Sequence, residues 1–108
     1  MISENVKIWI WLTQAIGYNT VKMKKLFKIY PDIAKFYHGG INEWRLSGVF
    51  NSDDLERLSK EGTENTERII GRCAELGYKI LSIDDGSYPE CLLNIDSPPA
   101  VIYISGPR

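Results

Sequence analysis

The chain has 108 residues, 44% of them hydrophobic and 25% charged, with a formal net charge of -1. Those values exclude a disordered chain and hold the fold to one domain, or one small domain with part of another, around a modest core. The near-neutral total hides a division: residues 1–50 carry seven basic and three acidic side chains, residues 51–108 six and eleven, so a polyanion would prefer the first half.

In chain order, Asn5 to Ile16 places apolar residues around most of a helix circumference, which predicts a first helix buried among others. The apolar run Ile8–Leu12 within it is too short for a signal peptide or a membrane span. Next, Met23, Leu26, Phe27 and Tyr30 recur at helical spacing, with Lys22, Lys24, Lys25 and Lys28 on the opposite arc. Pro31 stops that helix, and a short one is expected to end at Gly39-Gly40.

Asn51-Ser52-Asp53-Asp54 is a dense N-cap signal for a helix carrying Leu55 and Leu58. A last helix runs from about Glu64 to Leu76, with a Glu64–Arg68 pair at i,i+4 and Gly77 at its C-terminal cap. Gly71 within it suggests close packing against a neighbour. After Gly77 the period changes. Residues 78–83 and 100–105 are short and β-branched, apolar on both faces, as in strands covered on both sides; the 16-residue connection leaves crossover and antiparallel pairing equally open.

Catalytic signals are absent. His38 has no titratable partner placed beside it by sequence, and its position suits an interaction with the carbonyl end of its helix. Cys73 and Cys91 are too far apart for a metal or redox pair and read as small core residues of a reduced, cytoplasmic protein. No phosphate-binding glycine loop or metal-ligand spacing occurs, so neither cofactor nor metal is expected, and an enzyme is not.

The junction from Leu12 to Leu26 resembles a helix-hairpin-helix turn, with Gly17, Tyr18 and Asn19 where that motif has Gly, an apolar residue and Gly, and with Ile16 where it has proline. In such a module backbone N–H groups cradle a DNA phosphate, and Lys22, Lys24, Lys25 and Lys28 would stand beside it. A solvated lysine face on an ordinary helix pair is the competing reading.

Near the end, Tyr88, Pro89, Leu92, Ile95, Pro98, Tyr103 and Gly106, with Asp96 as the acidic residue, resemble the signature YPxxLxxIxDxPxxLYxxG of the DprA (Smf) family of DNA-processing proteins. Ile102 stands where leucine is usual, and matching Pro98 rather than Pro99 adds one residue before the tyrosine. The resemblance implies an α+β chain: a helical bundle of SAM-like or helix-hairpin-helix type over 1–76, then from 77 to 108 the first strands of an extended Rossmann-type α/β domain. It also implies a non-enzymatic role in DNA-mediated transformation, protecting single-stranded DNA and loading a RecA-type recombinase, with the main DNA pocket in a part of the family that would follow Arg108. On this reading the motif residues, Pro99 included, are structural. The alternative is a helical protein-interaction module with no DNA affinity of its own. Strands without their full sheet would expose Val101 and Ile104, so pairing with another copy, or a marginal C-terminus, is expected; a membrane partner is not.

Overall fold

Ser3 opens the first helix, α1 (Glu4–Ile16), by accepting the Val6 N–H with its side chain. The computed structural model describes residues 3–17, 21–95 and 98–105. Val6, Ile8, Trp9, Ile10, Trp11, Leu12 and Ala15 are all buried, as the apolar residues around α1 require. The helix touches every later layer of the molecule: α3 (Ile33–Leu46), α4 (Ser52–Lys60), α5 (Glu64–Leu76) and the strands β1 (Tyr78–Ser82) and β2 (Val101–Ser105). Burying large side chains such as Trp9, Ile10 and Leu12 stabilises the fold by roughly 1.5–3 kcal/mol each.

The second helix, α2 (Val21–Ile29), turns Met23 and Leu26 inward and sets Phe27 edge-on against Trp9. Around Phe36 the rings of Tyr30, Trp44 and Phe50 form an aromatic cluster, with centroids 5.3 to 6.0 Å from it. Trp11 is fixed by its indole N–H, which donates to the Glu61 carbonyl at 2.8 Å and ties α1 to the α4–α5 junction.

The expected stop at Gly39-Gly40 is a kink instead. Gly40 adopts φ 74°, ψ -166°, and helical structure resumes to Leu46. A Cβ on Gly39 would collide with the Glu43 side chain, which folds back over this point, so the two glycines serve different needs. Both later caps follow the sequence reading. Asn51 and Asp54 form a reciprocal capping box, and Gly77 ends α5 in the left-handed region at φ 75°.

Strands β1 and β2 form a two-stranded antiparallel sheet, Tyr78 opposite Ser105 and Ser82 opposite Val101. This settles the pairing that spacing left open. Ile80, Leu81, Ser82 and Ile83 are buried in succession, so this end of β1 is covered on both faces, whereas Tyr78 and Lys79 are exposed. Between the strands lies a single turn, α6 (Glu90–Leu93). Ile80, Ile83, Tyr88, Ala100 and Val101 join the same apolar cluster as α1, so the core is continuous across Gly77. The described part is thus a small α-rich domain of six helices and one strand pair.

Four local expectations are corrected. Val101, expected to be exposed with Ile104, is buried in the core because β2 packs against α1 at this end, and only Ile104 is exposed. A Cβ on Gly71 would meet nothing within 4 Å, so close packing does not explain that glycine. Cys91 is exposed, unlike buried Cys73, whose thiol is pushed up by its burial. Among the described residues no ion pair joins Glu64 to Arg68.

Candidate nucleic-acid interface and the Tyr-Pro motif

The four lysines of α2 do not form one free face. Lys22 is engaged by Asp54, whose carboxylate is buried at the start of α4. Lys24 donates to the Ile95 carbonyl at 2.9 Å. Lys25 and Lys28 are exposed and, among the described residues, make no ion pair or side-chain hydrogen bond. Together with Val21 and Lys24 they line a shallow concavity of about 330 Å³. Positions 21, 24, 25 and 28 share one side of a helix, so three ammonium groups stand within reach of one curved polyanion backbone.

Gly17 caps α1, its N–H donating to the Thr13 carbonyl at 2.9 Å with φ 117°. Tyr18 and Asn19, the rest of the expected phosphate-binding turn, lie outside the described residues. His38 pairs with Glu4 of α1 at 2.8 Å, both side chains being exposed. It bridges two helices and does not cap the end of its own.

The Tyr-Pro motif is a clamp. Tyr88 is buried, and its hydroxyl donates to the Pro99 carbonyl at 2.6 Å, closing the 11-residue interval over which the chain leaves β1 and returns to β2. Pro89 precedes α6, and its carbonyl accepts the Leu92 N–H. Leu92 packs half-buried on the core and Pro98 is fully buried. Tyr103 sits half-buried on β2 opposite Ile80. Burial, and then the neighbouring Cys91, push the Tyr88 hydroxyl up, so it is a neutral donor at ordinary pH. Asp96 and Gly106 lie outside the described residues.

A long-range polar link holds this loop to α1: Asn5 donates to Asp84 at 3.2 Å, and Ser82, two residues before that aspartate, bonds to the same carboxyl group. Neither the Asn5–Asp84 link nor the Lys22–Asp54 pair 32 residues apart carries a local sequence signal. Among the described residues no helix is long and apolar enough to cross a membrane. Compared with models of known families, with curated proteins and with solved structures, the chain matches none.

Proposed function

We propose that this chain acts in DNA handling as a non-enzymatic protein of the DprA type, cytoplasmic, with single-stranded DNA and a RecA-type recombinase as partners. The fold assignment that goes with this proposal is a SAM-like helical module leading into Rossmann-type strands. The motif from Tyr88 to Gly106 supports the family reading. The observation that carries DNA contact by this chain is Lys25 and Lys28, which make no ion pair among the described residues, beside Lys24 on the exposed side of α2. Two or three phosphate contacts of this kind give weak binding whose logarithm falls with log salt at a slope of about -1.4 to -2 for single strands.

The test is fluorescence anisotropy of labelled single- and double-stranded DNA against the chain at low and moderate salt. Salt-dependent binding that disappears in Lys25→Glu/Lys28→Glu is the expected result. Binding left unchanged by that double reversal would remove the lysine face from the interface. One observation favours a second reading, a protein-contact module without DNA affinity: Lys22 and Lys24 are both engaged within the molecule. No binding at either salt would select it.

A further inference from the structure

Helix α5 and the strand pair leave an apolar groove that nothing in the lysine face uses. Ile69, Cys73 and Leu76 of α5 and Tyr78 and Tyr103 of the strands line about 450 Å³ of space, with Arg68 and Arg72 also at its wall. Leu76 is 48% exposed and Tyr78 43%, so the groove is open to solvent at this end of the sheet.

Among the described residues, strand β2 is strand-paired along one side only, beside that groove. It pairs with β1 along one side through five unbroken residue pairs, and among the described residues no other strand pairs with it. Edges are ordinarily blunted by a charge, a proline or a bulge. The sequence VIYIS contains none of these, whereas β1 carries Lys79. Arg68 and Arg72 stand one helical turn apart, both exposed, and among the described residues neither enters an ion pair or side-chain hydrogen bond.

We infer that this surface binds an extended segment of a partner protein as a third strand on β2, with alternate apolar side chains in the groove and carboxylates at Arg68 and Arg72. The pleat supplies the alternation: every second side chain of an added strand lies on the face that Tyr103 shares with α5. Main-chain hydrogen bonds then account for affinity, and the two guanidiniums, which suit bidentate carboxylate contact, account for selection of acidic segments. Nucleic acid fits less well. The recognising feature is a strand edge, whose main-chain donors and acceptors alternate to match another peptide backbone and give a phosphate chain no equivalent partner. A second copy also fits less well, because a two-fold pairing of β2 with itself sets the arginines of both α5 helices on the same side of the extended sheet, like charges together. The inference is independent of the lysine face and of the DNA reading.

The test uses a displayed library of random twelve-residue peptides selected on the whole chain. The best peptide is then synthesised and followed by anisotropy and backbone amide chemical shifts. Enriched sequences should alternate apolar residues and contain at least two carboxylates. Binding should shift the Val101–Ser105 amides, and it should fall at least tenfold in Arg68→Glu/Arg72→Glu and again when alternate peptide nitrogens are methylated. Both arginines are exposed, so the variant's melting midpoint should stay within about 4 °C of the parent. No enrichment, a consensus without acidic residues, or shifts confined to other elements would overturn the inference. So would an oligothymidine that moves the same amides in preference to any peptide, or a concentration-dependent dimer that buries the edge of β2.

Discussion

The Lys22 ammonium lies against the Asp54 carboxylate, and that same carboxylate accepts the Asn51 backbone N–H at 3.2 Å while the Asn51 side chain accepts the Asp54 N–H at 2.8 Å. One buried acid thereby caps α4 and holds α2 to it. Asp54→Ala removes both contacts. The Asn51 side chain still caps the residue-54 N–H, so losing the other half of the capping box costs at most about 1 kcal/mol, and the ion pair adds little because the Lys22 side chain is more than a third exposed and screened by solvent, for a total of about 1 kcal/mol. Urea denaturation of Asp54→Ala, Lys22→Met and the double variant gives the coupling directly. The same Asp54→Ala change frees a fourth ammonium on α2, so the salt slope of any DNA binding should steepen by about 0.7. A lower stability with an unchanged slope would place Lys22 away from the nucleic acid even when released.

Gly71 lies inside α5, exposed, with open space where a side chain would go. Gly71→Ala should therefore stabilise the fold by about 0.5–1 kcal/mol, chiefly by narrowing the unfolded ensemble. Thermal denaturation of this single variant is sufficient. A lower melting midpoint would mean that something packs against this face of α5 in solution.

Features set by neighbours in sequence were legible, and those set across the fold were not. Asn51 and Gly77 announce their caps because a cap is decided within four residues. The glycine pair at 39–40 marks a change of direction, but whether a helix resumes depends on Trp44, which the Phe36 cluster holds through ring contacts and a 3.0 Å bond to the Phe36 carbonyl. Lysine periodicity identified the outer arc of α2, yet the partners that divide it, Asp54 and the Ile95 carbonyl, come from distant segments. His38 and Cys91 were misread for the same reason. A local pattern does not reveal that Glu4 crosses to one or that the single turn of α6 leaves the other in solvent. The groove beside β2 went unseen because it requires the pairing of β1 with β2, which spacing left undecided.

Tyr88 tests whether the Tyr-Pro motif is structural. Tyr88→Phe deletes the hydroxyl that reaches the Pro99 carbonyl and leaves a ring that still fills the buried space. The expected cost is about 1–2 kcal/mol, the range for a part-buried acceptor losing its partner. Amide exchange should accelerate between Asp84 and Ala100 while α1 remains protected. Uniform acceleration through α1 would instead show that the loop and the helical core open as one unit.

Tyr30 predicts an alkaline transition with a definite sign. It is 8% exposed, and its hydroxyl donates to Glu43; burial first, then that hydrogen bond and the carboxylate charge, push its pKa up to about 12. The folded state therefore holds this proton more tightly than the unfolded state, whose tyrosine titrates near 10. Stability from Tyr30 is complete below about pH 10 and is lost as pH rises through about 12, with roughly 1.4 kcal/mol gone by about pH 11. Lysines and the other tyrosines titrate in the same range, so the informative quantity is the difference from Tyr30→Phe. At about pH 8 that variant should be the weaker by about 1 kcal/mol through the lost hydrogen bond, and by about pH 11 the gap should close or reverse. A gap that stays constant across this range in urea titrations would show that Tyr30 ionises in the folded chain as it does in the unfolded one, and that its contact with Glu43 does not persist in solution.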